Sequence, residues 1–125
     1  EWVAPEDLAR EVRETDICLG IFGSSTKAQR VCPLKIYIYA AIGRPVVTAN
    51  TEWVRNATRD LASPPFATVA AGNAVQLANK IVELAESKQL RRTLAAASRE
   101  FYARHLSNNR AAEQLMNCLQ GAIKT

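Results

Sequence analysis

The sequence predicts an α/β fold in which a small parallel sheet lies between layers of helices. Three observations carry that prediction. Short apolar runs at Asp16 to Phe22, Pro45 to Thr48 and Phe66 to Ala70 have the length and composition of buried strands. Segments of helical spacing separate them, each bounded by glycine or proline. Beyond Gly72 the chain is helical in character to its end, so strand and helix alternate as in βαβ units and then give way to terminal helices.

Pro5-Glu6-Asp7-Leu8 has the marks of a helix start, with proline in the first turn and carboxylates near the positive end of the helix dipole. Leu8 and Val12 then share a face. Asp16 to Phe22 follows as a strand expected to be buried on both faces, and Gly23 to Arg30 reads as a polar loop. From Pro33 a compact helix, Leu34 to Ile42, pairs Ile36 with Ala40 and Tyr37 with Ala41, and Gly43 supplies its stop. Pro45 opens the next strand, where a missing backbone donor does least harm. Trp53 to Leu61 reads as a helix, Ser63-Pro64-Pro65 as a turn, and Phe66 to Ala70 as the third strand.

Asn73 with Gln76 forms a capping-box pair ahead of a helix whose apolar face is Leu77, Ile81 and Leu84. Leu90, Leu94, Ala97 and Phe101 form the stripe of a second helix. Ser107 or Asn108 caps a last one, with Ala112, Leu115, Met116, Leu119 and Ile123 along one side. The whole order is that of a Rossmann-like three-layer α/β/α domain with C-terminal helices. Three short strands leave an edge and a poorly covered face, so the sheet is expected to be partial, its other strands lying upstream or in a partner chain.

The longest apolar stretch, Ile17 to Phe22, is too short to cross a bilayer, and Glu1-Trp2-Val3 lacks the basic start of a signal peptide. A cytoplasmic location is expected, with peripheral contact at the inner membrane open to a chain of net charge +4. The basic residues are scattered along helices and not interleaved with aromatics, which argues against a nucleic-acid partner. Cys18, Cys32 and Cys118 are odd in number and widely spaced, without CxxC or histidine partners, so reduced thiols are expected and neither a disulfide framework nor a metal site is. His105, the lone histidine, has no sequence partner for a catalytic constellation and reads as a solvent-facing residue near a helix end.

The stretch with chemical content is Asp16 to Asn50. In an open α/β sheet, ligands bind beyond the carboxyl ends of the strands. Here a strand ends in a small-residue loop, Gly23 and Ser24, that leads to the helix opening at Pro33. The unpaired amides around Leu34 and Lys35 would carry positive potential, and Lys35 and Arg30 could add full charges beside a diphosphate. The plainer alternative is that Lys35 and Arg30 are surface charges and Gly23 and Gly43 only turn formers.

Trp2-Val3-Ala4-Pro5 leading to Asp16-Ile17, then GIFGSSTKAQRVCPLK, then Ala41-Ile42-Gly43-Arg44-Pro45-Val46-Val47, resembles the C-terminal domain of glycosyltransferase family four, the retaining group 1 glycosyl transferases of GT-B architecture. The last of these segments is similar to that family's A-x-G-x-P-V-V. The resemblance spans essentially the whole chain. It implies a nucleotide-diphosphate sugar as substrate, no bound metal or other cofactor, and an N-terminal acceptor domain on the same polypeptide. It places Gly23, Ser24, Arg30, Pro33, Leu34, Lys35 and Ile38 at the donor site. Counting back from Gly43 sets Arg30 and Ile38 at the two acidic positions of the family's E-x(7)-E motif, and both depart from it. Some subgroups carry proline and lysine where this chain has Pro33 and Lys35. At Ile38 the motif has a glutamate that holds the ribose, and charged hydrogen bonds of that kind contribute about 1.5 to 3 kcal/mol each.

The resemblance therefore implies part of the donor site of a hexosyltransferase, EC class 2.4, in which this segment alone transfers nothing because the reaction occurs between two domains. The Ile38 departure leaves three alternatives open: weak donor binding, another ribose ligand, or loss of donor binding and a role as a non-catalytic scaffold. The last helix of such a domain crosses to the N-terminal one, so Leu115, Leu119 and Ile123 are expected to be partly uncovered, a face open to self-association.

Overall fold

The computed structural model describes residues 2–123. α1 (Pro5–Glu14) begins as the sequence suggests, with Glu6 and Asp7 in its first turn. Its one buried residue is Val12. Leu8, expected on the same inward face, is exposed, because α1 reaches the core only through its last turn.

The sheet is α/β in the expected sense: β1 (Cys18–Leu19), β2 (Val46–Ala49) and β3 (Ala67–Val69) are parallel and adjacent in chain order. Cys18 lies opposite Val46, Leu19 opposite Val47, and Val47 opposite Ala67. Side chains alternate across a strand, so this register sends Cys18 and Val46 to one face and Leu19 and Val47 to the other. The first face carries the core of Val12, Ile36, Ala40, Val54, Phe66, Phe101 and Leu106. The second carries Val47, Val69, Leu84 and Leu94.

β2 is buried at every position. β1 is not the doubly buried strand expected of Asp16 to Phe22: Leu19 is 41% exposed on the second face, where the covering helices pack over Val47 and Val69. β1 is also shorter than its apolar run. Ladder-like bonds continue from Gly20 N to Val47 O (2.7 Å) and from Ala49 N to Ile21 O (2.9 Å), but the Phe22 carbonyl then accepts from Gly72 N (3.0 Å) and the chain leaves the sheet.

The expected loop after β1 contains a single turn of helix, α2 (Thr26–Arg30), whose N-cap Ser25 accepts from Ala28 N at 3.2 Å. Its residues have no apolar stripe, so periodicity carried no sign of it. α3 (Leu34–Ile42) buries Ile36 and Ala40, and Gly43 ends it with a left-handed φ of 81°. That turn sits close against the side chain of Arg99, where a Cβ on Gly43 would meet Arg99 Cβ at 3.4 Å. α4 (Glu52–Thr58) is capped by Thr51 and tied to α2 by Glu52 N donating to Gln29 Oε1 at 3.1 Å.

α5 (Ala74–Glu86) starts at Asn73, which accepts from Gln76 N at 3.0 Å. The reciprocal half of the expected capping box is absent, because Gln76 Oε1 instead accepts from Ala70 N at 2.8 Å and ties the end of β3 to the helix. α6 (Lys88–Phe101) touches the second core through Leu94 and the first through Phe101. A π-helical turn, Tyr102–Leu106, leads to α7 (Asn108–Ile123), where Ser107 Oγ accepts from Arg110 N at 3.3 Å. Along α7, Leu115 is 60%, Met116 53% and Leu119 49% exposed. No helix among the described residues is long and apolar enough to cross a membrane.

β1 and β2 approach closely at Gly20 and Thr48. A Cβ on Gly20 would fall 2.4 Å from Thr48 Oγ1 and 2.5 Å from Thr48 Cβ, while Thr48 Oγ1 accepts from Ile21 N and donates to Ile21 O, each at 3.2 Å. Gly20→Ala should therefore cost about 1 to 3 kcal/mol through overpacking, read as a lowered urea midpoint at unchanged m-value. Adding Thr48→Ala should recover little of that loss, since the Thr48 Cβ contact at 2.5 Å persists.

Candidate functional site

In a parallel sheet the connecting helices run back against the strands, so the carboxyl ends of β1–β3 and the amino ends of α2–α5 share one end of the molecule. Gly23 and Ser24 lie exposed there, in the loop that leaves β1. The fold itself makes no demand for glycine at position 23. Its φ is not positive, and a Cβ would meet only Ala28 Cβ at an ordinary 3.7 Å.

The start of α3 is open. Pro33 is the N-cap and offers no side-chain cap; its carbonyl accepts from Ile36 N at 3.0 Å. Among the described residues the amides of Leu34 and Lys35 have no partner, Leu34 is 75% exposed, and Lys35 is exposed without an ion pair. Free amides at a helix start, aligned with the positive end of its dipole, favour an anion.

Arg30 ends α2 and lines a surface cavity of about 380 Å³ between α2 and α4 with Glu52, Trp53 and Asn56. Leu34 and Lys35 are not in its walls. Ile38 lies one turn beyond Leu34 and is partly buried, packed against the first core. Its side chain therefore works as apolar margin to Ile36 and Ala40.

Sequence reasoning missed Gly20, Thr48 and Gln29, which shape this end of the sheet. An isolated glycine within an apolar run was a readable sign of close backbone approach, whereas nothing in the sequence pointed to Gln29 reaching α4. Two thiols hold their protons more tightly than a free cysteine does. Burial pushes Cys32 up to about 12, although a hydrogen bond from Tyr37 opposes it, and pushes Cys18 up to about 11 against the lowering effect of the Arg44 guanidinium. Burial likewise raises Tyr37 and Tyr39.

His105 is exposed, with its ring 5.0 Å from that of Phe101. It lines a cavity of about 220 Å³ with Ser63, Glu100 and Arg104, at the opposite end of the sheet where β3 begins. Among the described residues no three His, Cys, Asp or Glu side chains gather to hold a metal ion.

A protein-family model described as glycosyl transferase-like matches residues 1–117. No curated protein and no solved structure matches the chain.

The thiol environments predict chemistry that can be read directly. At pH 8, iodoacetamide should alkylate exposed Cys118 in the native protein and reach Cys18 and Cys32 only after unfolding, as followed by peptide mass spectrometry. Thiols raised from 9.0 to about 11 and about 12 hold their protons longer in the folded state than in the unfolded one. The unfolded chain then binds fewer protons, so the denaturation midpoint should fall as pH rises from about 9 towards about 11.

Proposed function

The chain belongs to the glycosyl transferase-like family, and on that premise we propose that it supplies the donor-binding face of a retaining GT-B hexosyltransferase of family four. In this reading a sugar passes from a nucleotide diphosphate to a glycan, lipid or small-molecule acceptor. The observation that carries it is the open start of α3 at the carboxyl end of the sheet, where among the described residues the amides of Leu34 and Lys35 and the Lys35 ammonium have no partner. Negative charge builds on the leaving diphosphate as the glycosidic bond breaks. Donors fixed where that charge develops stabilise the transition state more than the ground state.

Gly23 and Ser24 bound the same end, and the missing side chain at Gly23 lets a ligand approach the backbone. Arg30 contributes longer-range positive potential from the α2–α4 groove. The acceptor site belongs to a facing N-terminal domain, so this segment binds donor and completes no transfer by itself. The uncovered stripe of α7 suits contact with that domain or self-association. The free thiols of Cys18, Cys32 and Cys118 suit the cytoplasm, and the net charge of +4 allows peripheral contact with the inner membrane.

A second reading, a non-catalytic scaffold, draws on Ile38, which offers the ribose no acceptor and is turned to packing.

Calorimetric titration of the natural polypeptide carrying this chain should show saturable binding of a UDP, GDP or ADP sugar. Lys35→Ala should weaken it about tenfold, equivalent to about 1.4 kcal/mol. Gly23→Val should also weaken binding while leaving the thermal midpoint unchanged. If none of the three donors binds, or if binding ignores Lys35→Ala, the scaffold reading replaces this one. Ile38→Glu should cost about 1 to 3 kcal/mol of stability by placing a carboxylate against the core. A gain in nucleotide affinity in that variant would place the ribose beside position 38, whereas unchanged affinity would place it elsewhere.

A further inference from the structure

At the end of the sheet away from Gly23, a cavity of about 190 Å³ is lined by Asp16 before β1, Arg44 before β2, and Lys88, Arg91 and Arg92 on α6. Four cations from two segments, Arg44 before β2 and three residues of α6, thus line one concavity with a single carboxylate. The fold uses two of them. The Arg44 guanidinium donates to the Thr15 carbonyl, with Nε at 2.7 Å, and Arg91 donates to the Leu84 and Ala85 carbonyls at 2.7 and 2.8 Å, capping the end of α5. Among the described residues neither arginine forms an ion pair with a carboxylate.

Lys88 and Arg92 have no hydrogen bond or ion pair among the described residues, and packing does not call for them, since both are exposed. Lys88, the first residue of α6, also stands against the helix dipole, and α6, like α2, α3, α5 and α7, holds no acid in its first turn to offset it. Clustered cations repel one another and the helix start, so the arrangement weakens the fold unless an anion completes it.

We propose that this cavity binds a phosphate group, as the free ion, a phosphomonoester, or the headgroup of an anionic lipid. A phosphate has enough oxygens and charge to engage an arginine fork and a lysine together, which a single carboxylate does not. The site is separate from the start of α3, which lies at the other end of the strands. It stands or falls independently of the donor-site reading.

The test is a titration of the isotope-labelled chain with inorganic phosphate at constant ionic strength, followed by amide shifts. The amides of Lys88 and Arg92 should move saturably, and Lys88→Ala with Arg92→Ala should weaken binding at least tenfold while Lys35→Ala leaves it intact. Equal shifts with chloride, or indifference to the double variant, overturn the proposal. A second pair, Lys88→Glu with Arg92→Glu, should raise the thermal midpoint by relieving the dipole conflict and should abolish the phosphate response. A lowered midpoint there makes the two cations structural and also overturns the proposal. Sedimentation with phosphatidylglycerol vesicles assigns the source: lipid if the wild-type chain co-sediments and inorganic phosphate competes, a soluble phosphate if it stays in solution.

Discussion

The approach of Gly20 to Thr48 sets the spacing of β1 against β2, and most of the molecule is arranged around that pair. A backbone with no side chain on one side and a buried hydroxyl on the other brings the two strands together at their carboxyl ends. Because the Thr48 hydroxyl both accepts from and donates to Ile21, the end of β1 is held even though the strand itself is short. The chain then crosses towards Gly72, through the Phe22 carbonyl, before turning out at Gly23. The position of the exposed small-residue loop thus follows from a packing contact three residues before Gly23.

β2 converts that local constraint into a domain. Every one of its residues is buried, and alternate side chains feed two separate apolar clusters. α3 packs Ile36 and Ala40 onto the first, which fixes the helix whose first turn carries the amides of Leu34 and Lys35, without partners among the described residues. Ile38 belongs to the same packing system, so its identity answers to the core as much as to any ligand. α6 joins the clusters by giving Leu94 to one and Phe101 to the other.

The electrostatics divide along the strand axis. At the carboxyl end, positive potential comes from helix starts and from Lys35; at the other end it comes from side chains gathered around Arg44 and α6. Part of a modest net charge of +4 is therefore gathered at the two ends of the strands. Each of the two cations that the fold does use there, Arg44 and Arg91, satisfies carbonyls at the end of a neighbouring element.

The chain by itself determined the alternation of strands and helices, the stop at Gly43, the cap at Asn73, and the helix that opens at Pro33, because these depend on local backbone chemistry and short-range periodicity; between Ser107 and Asn108 as the last cap the structure chose Ser107. Its glycosyl transferase-like character was legible in the same way, in contiguous residues such as those from Ala41 to Val47. Tertiary structure decided what lies beside what. Leu8 and Leu19 looked inward by pattern but found no covering helix, α2 formed without any apolar stripe to announce it, and Gln76 turned from its own helix start to Ala70. Basic residues that read as scattered became a cluster because Arg44 and Lys88 meet only when α6 folds back along α3, and no regularity in a linear sequence encodes the contacts that close so long a loop.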